Sequence, residues 1–166
     1  MIKFRAWDKE NKIMLAVNNI CNLFWDSKFI EGYELVPDPK GKREYDLIDH
    51  IIDFADAILM QSTGLFDNST PKKEIFEGDV VELHHFTENY SETGGFYEGE
   101  ESLVGVVRYG YTDDEIKYFG KVYPPRWFIE NRYRELVFSD LSGLHEESFK
   151  VIGDVYRNPE LTEELK

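Results

Sequence analysis

Glu82 and His84 are the clearest pairing of reactive side chains in the sequence. If Asp79 to Phe86 is a strand, alternation puts both on one face and Val81, Leu83 and His85 on the other. A carboxylate beside an imidazole can ligate a divalent cation when a third ligand arrives from elsewhere. No Cys-x2-Cys or His-x3-His spacing accompanies them, and His85, in apolar company, reads as a partly buried structural histidine. Cys21 stands among Asn19, Ile20, Asn22 and Leu23. With no adjacent Lys, Arg or His to stabilise a thiolate, it reads as a packed small hydrophobe rather than a nucleophile. Arg126, Arg132 and Arg134 interleave with Trp127, Phe128 and Tyr133, the composition of a surface on which single-stranded nucleic acid stacks. The same run also suits a strand with Trp127 and Ile129 inward, closed by a turn at Asn131. Gly94, Gly95 and Gly99 sit among glutamates, which would oppose a bound phosphate. No phosphate-loop, nucleophile-elbow or zinc-protease motif occurs. Paired carboxylates could be drawn anywhere among 33 acids, so their abundance defines no site. No catalytic, cofactor-binding or metal-ligating residue is therefore assigned, no cofactor is expected, and the chain reads as a non-enzyme.

Charge narrows the partners. The sequence has 19 basic and 33 acidic residues, a net charge of −14. From Glu74 to Ser102 every charged side chain is acidic, including Glu88, Glu92, Glu98, Glu100 and Glu101. Such a segment repels phosphate backbones, so nucleic acid is a disfavoured partner. It reads first as a solvated loop that keeps the chain soluble. The sharper alternative is an acidic surface that captures a basic partner.

The elements that would position these residues are mostly strands. Ile2, Phe4 and Ala6 alternate with Lys3, Arg5 and Trp7, a polar turn follows, and Ile13 to Val17 returns as the second arm of a hairpin. Phe24, Trp25, Phe29 and Ile30 suggest another hairpin through Asp26. Pro37 to Gly41, with two prolines and a glycine, reads as a linker. Leu47, Ile48, Ile51, Ile52 and Ala55 recur at spacings that predict a helix over 47–55, with Asp46 as its N-cap and His50 on its polar side. Ala57 to Gln61 reads as a buried strand. Further strands are predicted at 79–86, 104–111, 127–129, 136–138 and 149–156, and Asn158 to Leu165 as a short terminal helix or a frayed tail.

A chain of 166 residues can bury roughly 70 % of its unfolded surface without disulfides. The single cysteine fits a reducing compartment. The opening is charged from Lys3 onward, so no signal peptide is expected, and the uncharged run Ile13 to Trp25 is too short and too rich in Asn to span a bilayer. With 3 Trp, 10 Tyr and 12 Phe, the composition argues against disorder despite the charge. The expected fold is mainly β (α+β): a small SH3-like or related β-barrel over 57–166, preceded by an N-terminal β-hairpin lobe over 1–56 that bears one short helix.

Three separated blocks resemble the YopX family of phage and prophage proteins. They are Met1 to Met14, then Ile58 to Asp67 with Lys73 to Val81, and Phe149 to Leu161. The segment Asn68 to Lys73 departs from that family's tighter turn, and the acidic stretch 87–102 falls where the family varies. The Glu77-Gly78-Asp79-Val80-Val81 run is also similar to the entry strand of SH3-like barrels. The resemblance implies a bacterial or phage cytoplasmic protein of β-rich fold, and it carries no activity or catalytic residue set. Gly78 then suits a turn with positive φ, Asp79 bonds local amides there, and Gly64 and Gly153 mark a turn and a bulge or close backbone approach. The expected function is a non-enzymatic interaction module that forms a homo-oligomer through exposed aromatics, with a host or phage protein as a further partner and no membrane. The alternatives are an acidic inhibitor of a basic host protein, acting through 74–102, and a metal-dependent enzyme using Glu82 and His84.

Overall fold

The computed structural model describes residues 2–22, 27–38, 40–42, 44–90, 94–111, 124–133, 135–137 and 148–163. They form two compact units, Met1–Gly64 and Leu65–Lys166.

In the first unit, β1 (Phe4–Asp8) and β2 (Ile13–Cys21) make the predicted hairpin, with Asp8 opposite Ile13. The turn forms because Asp8 accepts the amides that its reversal leaves unpaired. Its Oδ1 takes the N–H groups of Glu10 at 2.9 Å and Asn11 at 3.0 Å. β3 (Phe29–Pro37) pairs with β2 across a bulge between Val17 and Asn19. The residues predicted as a hairpin near Asp26 lie partly outside the described set. The Pro37–Gly41 linker is a hairpin turn, in which Asp38 accepts the amides of Lys40 at 2.7 Å and Lys42 at 2.8 Å.

The helix predicted over 47–55 is a strand. β4 (Tyr45–Asp53) pairs continuously with β3, from Phe29 opposite Asp53 to Pro37 opposite Tyr45, and Asp46 lies within it opposite Val36 rather than capping anything. The spacing misleads because residues four apart share a face in a strand as well as in a helix. Pairing with β3 decides the matter, and the three isoleucines favour it. Helical geometry survives only in the 3-10 turn Phe54–Asp56, whose Ala55 amide donates to Asp53 Oδ1 at 2.8 Å. β5 (Ala57–Phe66) then pairs with β1, from Phe4 opposite Gln61 to Asp8 opposite Ala57. The strands of this unit thus run in the order β4-β3-β2-β1-β5. Their inner face buries Ala6, Leu15, Ile30 and Ile52, with Ile13 and Leu59 packed around them.

In the second unit, β6 (Glu74–Phe76) adds the buried Ile75 to the core. β7 (Asp79–Tyr90), β8 (Phe96–Gly110), β9 (Arg126–Glu130), β10 (Glu135–Val137) and β11 (Ser148–Asp154) form an antiparallel sheet in the order β10-β9-β8-β7-β11. Val81, Leu83, Leu103, Val107 and Ile129 form its core with Ile75. β7 and β8 stay paired as far as Tyr90 opposite Phe96, so the acidic stretch expected as a loop is a hairpin over its described residues. The chain ends in a one-turn helix, α1 (Glu160–Glu163).

The mainly β class is as expected, with a short helix at the end of the chain instead of at 47–55. Among the described residues the strands form open antiparallel sheets rather than a closed barrel. No described helix is long and apolar enough to cross a membrane.

Candidate interaction surface

Neighbouring positions on β7 bring Glu82 and His84 together, with the carboxylate oxygen 3.7 Å from the ring nitrogen and both side chains partly exposed. No group of three His, Cys, Asp or Glu completes a metal set among the described residues. Opposite Glu82 on β11 stands Lys150, a cation where a third ligand would be needed. The side chain of His85 lies outside the described residues.

Burial, the nearby Glu31 charge and a hydrogen bond to Glu31 push the Cys21 thiol up. A thiol held protonated is a poor nucleophile. The arginine–aromatic run divides between core and surface, with Tyr133 exposed. Ile129 and Phe128 are buried, and Trp127 packs against the core with Tyr109 at a centroid distance of 4.9 Å. Arg108 Nε donates to Glu130 at 2.9 Å, and the Arg132 guanidinium sits 5.8 Å from the centre of the Tyr133 ring. Arg134 is outside the described residues. An open cleft of about 480 Å³ beside these residues is lined by Val106, Arg108, Glu130, Asn131, Arg132 and Thr162. Its polar groups already serve the fold, since Asn131 Nδ2 donates to the Val104 carbonyl at 2.7 Å and Asn131 Oδ1 accepts the Tyr133 amide.

The residues that sequence reasoning mostly missed are four buried aspartates, Asp8, Asp67, Asp79 and Asp154, each no more than 1 % exposed. All four fasten turns. Asp67 Oδ1 accepts the Lys73 amide at 2.7 Å and the Ser69 hydroxyl at 2.6 Å, while its Oδ2 accepts the Val151 amide at 3.1 Å. Asp79 Oδ2 accepts the Phe76 amide at 2.8 Å, closing the turn whose Gly78 has φ +78°. That turn was expected. Asp154 Oδ1 accepts the amides of Tyr156 and Arg157, and Arg157 Nε donates to its Oδ2 at 2.6 Å. Burial alone would raise the carboxyls of Asp8, Asp67 and Asp154, but these hydrogen bonds outweigh it and hold all three below the usual carboxylate range. The signal was present in the sequence: all four aspartates lie in the three blocks that carry the family resemblance, each beside turn residues. In each of those blocks the buried aspartate holds a turn.

The described surface also carries exposed apolar side chains at a sheet edge. β4 is an outer strand of its sheet. Tyr45 (51 %), Leu47 (61 %) and Ile51 (70 %) are exposed on its outer face, Leu35 (59 %) extends that patch on β3 opposite Leu47, and Ile48 (45 %) is exposed on the inner face two positions from His50. Folded chains normally blunt such an edge. In the second unit the outer strand β11 is blunted: Asp67 and Asn68 accept the amides of Val151 and Phe149, and the Asn68 amide donates to the Phe149 carbonyl at 2.8 Å. No such cap meets the outer side of β4 among the described residues. His50, on the inner face of β4, reaches sideways to Glu34 of β3 at 3.3 Å.

No curated protein and no solved structure matches the chain. A family model described as YopX protein matches residues 3–163, nearly the whole sequence, and the chain belongs to the YopX family.

Proposed function

We propose that this protein is a non-enzymatic interaction module that associates with copies of itself, in the bacterial or phage cytoplasm that the family resemblance implied. The observation that supports this reading is the uncapped β4 edge with its exposed Tyr45, Leu47, Ile48 and Ile51. Exposed apolar side chains on both faces of an open strand edge mark protein contact more often than catalysis. Sedimentation equilibrium over a range of concentrations tests it. A mass that rises with concentration supports the module, and a monomer at high micromolar concentration rejects it.

A second reading rests on the hairpin of β7 and β8. Beyond His84 opposite Ser148, β7 pairs only with β8 among the described residues, and this two-stranded extension carries Glu88, Glu98, Glu100 and Glu101 without a Lys or Arg. It would capture a basic host protein through long-range attraction. Replacing Glu98, Glu100 and Glu101 with Gln should then weaken a salt-sensitive pull-down from the host; unchanged capture rejects this reading.

A further inference from the structure

We infer that the partner of β4 is β4 of a second copy, paired antiparallel about a two-fold axis that passes through Ile48; this rests on the self-association proposed above. A two-fold axis normal to the joined sheet keeps each face in common, so residue pairs must be mutual and share a face. Few registers satisfy this. Centring on Asp49 sets Asp49 against its own copy and Tyr45 against Asp53, a like-charge contact at the middle of the ladder. Centring on His50 sets two imidazoles together and Leu47 against Asp53. Centring on Ile48 instead stacks Ile48 on Ile48, places Tyr45 against Ile51 twice, and faces each Asp46 carboxylate with an imidazole donor from His50. Leu47 then meets Asp49. The strand is thus self-complementary about Ile48, whereas the Asp49 register opposes two carboxylates and the His50 register two imidazoles on the axis. That argues for a second copy over an unrelated peptide; Tyr45–Asp53 holds no Pro, Lys or Arg, and its three aspartates find tolerable neighbours in this register. A ladder of this length lies below the roughly 1,200 Å² of standard interfaces, so association in the micromolar range is expected.

The test uses the full chain and substitutions at exposed positions, with folding checked by circular dichroism. Ile48→Lys sets two ammonium groups against each other on the axis and should weaken association at least tenfold. With Cys21→Ser as background, Ile48→Cys should form an intermolecular disulfide under mild oxidation and Asp49→Cys should not. If the parent associates but Ile48→Lys associates equally well, or if Asp49→Cys cross-links and Ile48→Cys does not, this pairing is wrong while self-association stands. A parent that stays monomeric, with no Ile48→Cys cross-link, overturns both.

Discussion

Asp67 and Val151 are joined across 84 positions of sequence, the Val151 amide donating to Asp67 Oδ2 at 3.1 Å. The other oxygen of the same carboxylate holds the turn that precedes β6, through Lys73 and Ser69. One buried side chain therefore closes a local turn and caps the outer strand of its sheet.

Asp67→Ala should consequently destabilise the protein by about 2–4 kcal/mol, because several buried donors lose their acceptor at once. Asp67→Asn should recover only part of this, since its amide nitrogen would present a donor to a donor. Urea unfolding of both variants checks the order.

Acid should unfold the protein through the same group of residues. The carboxyls of Asp8, Asp67 and Asp154 are lower in the folded state than in the unfolded chain. Their contribution to stability is complete above the unfolded carboxylate value of about 4 and is lost as pH falls through the lowered folded values. The urea midpoint should hold steady from pH 7 to 5 and drop below about pH 4. A midpoint that is the same at pH 3 as at pH 5 would contradict the assignment.

Gly153 sits at the β11 bulge, where the register shifts after Val151. A Cβ there would lie 2.6 Å from Asn158 Oδ1 and 2.7 Å from Leu161 Cδ1. Gly153→Val should therefore cost about 1–3 kcal/mol by displacing the turn and α1. Thermal melting should show it, with Gly153→Ala intermediate.

Cys21 should alkylate slowly at neutral pH, because burial and Glu31 both favour the thiol over the thiolate. Glu31→Gln removes the charge and should speed reaction with iodoacetamide. Equal rates in the two proteins would show that Glu31 does not govern the thiol.

Much of this architecture was legible in local patterning. The alternation in Phe4–Asp8 and Ile13–Cys21 gave the first hairpin, and Gly78 with Asp79 marked a turn that forms as read. The stretch 47–55 was not legible, because a four-residue spacing of apolar side chains satisfies both a helix and a strand. The aspartates were only half legible: a sequence shows an acid beside a turn, and cannot show whether its oxygens meet water or buried amides.

By itself, then, the amino-acid order determined the mainly β composition, the turn positions, the concentration of negative charge and the family. Those properties depend on neighbours within a few residues, where steric and hydrogen-bonding preferences act directly. Only the tertiary structure decided that 45–53 pairs with 29–37, that Asp67 caps a strand 84 positions away, and that β4 keeps an open edge while β11 does not. Each of these depends on which distant strand becomes a neighbour, and that choice is made by burial and pairing across the sheet.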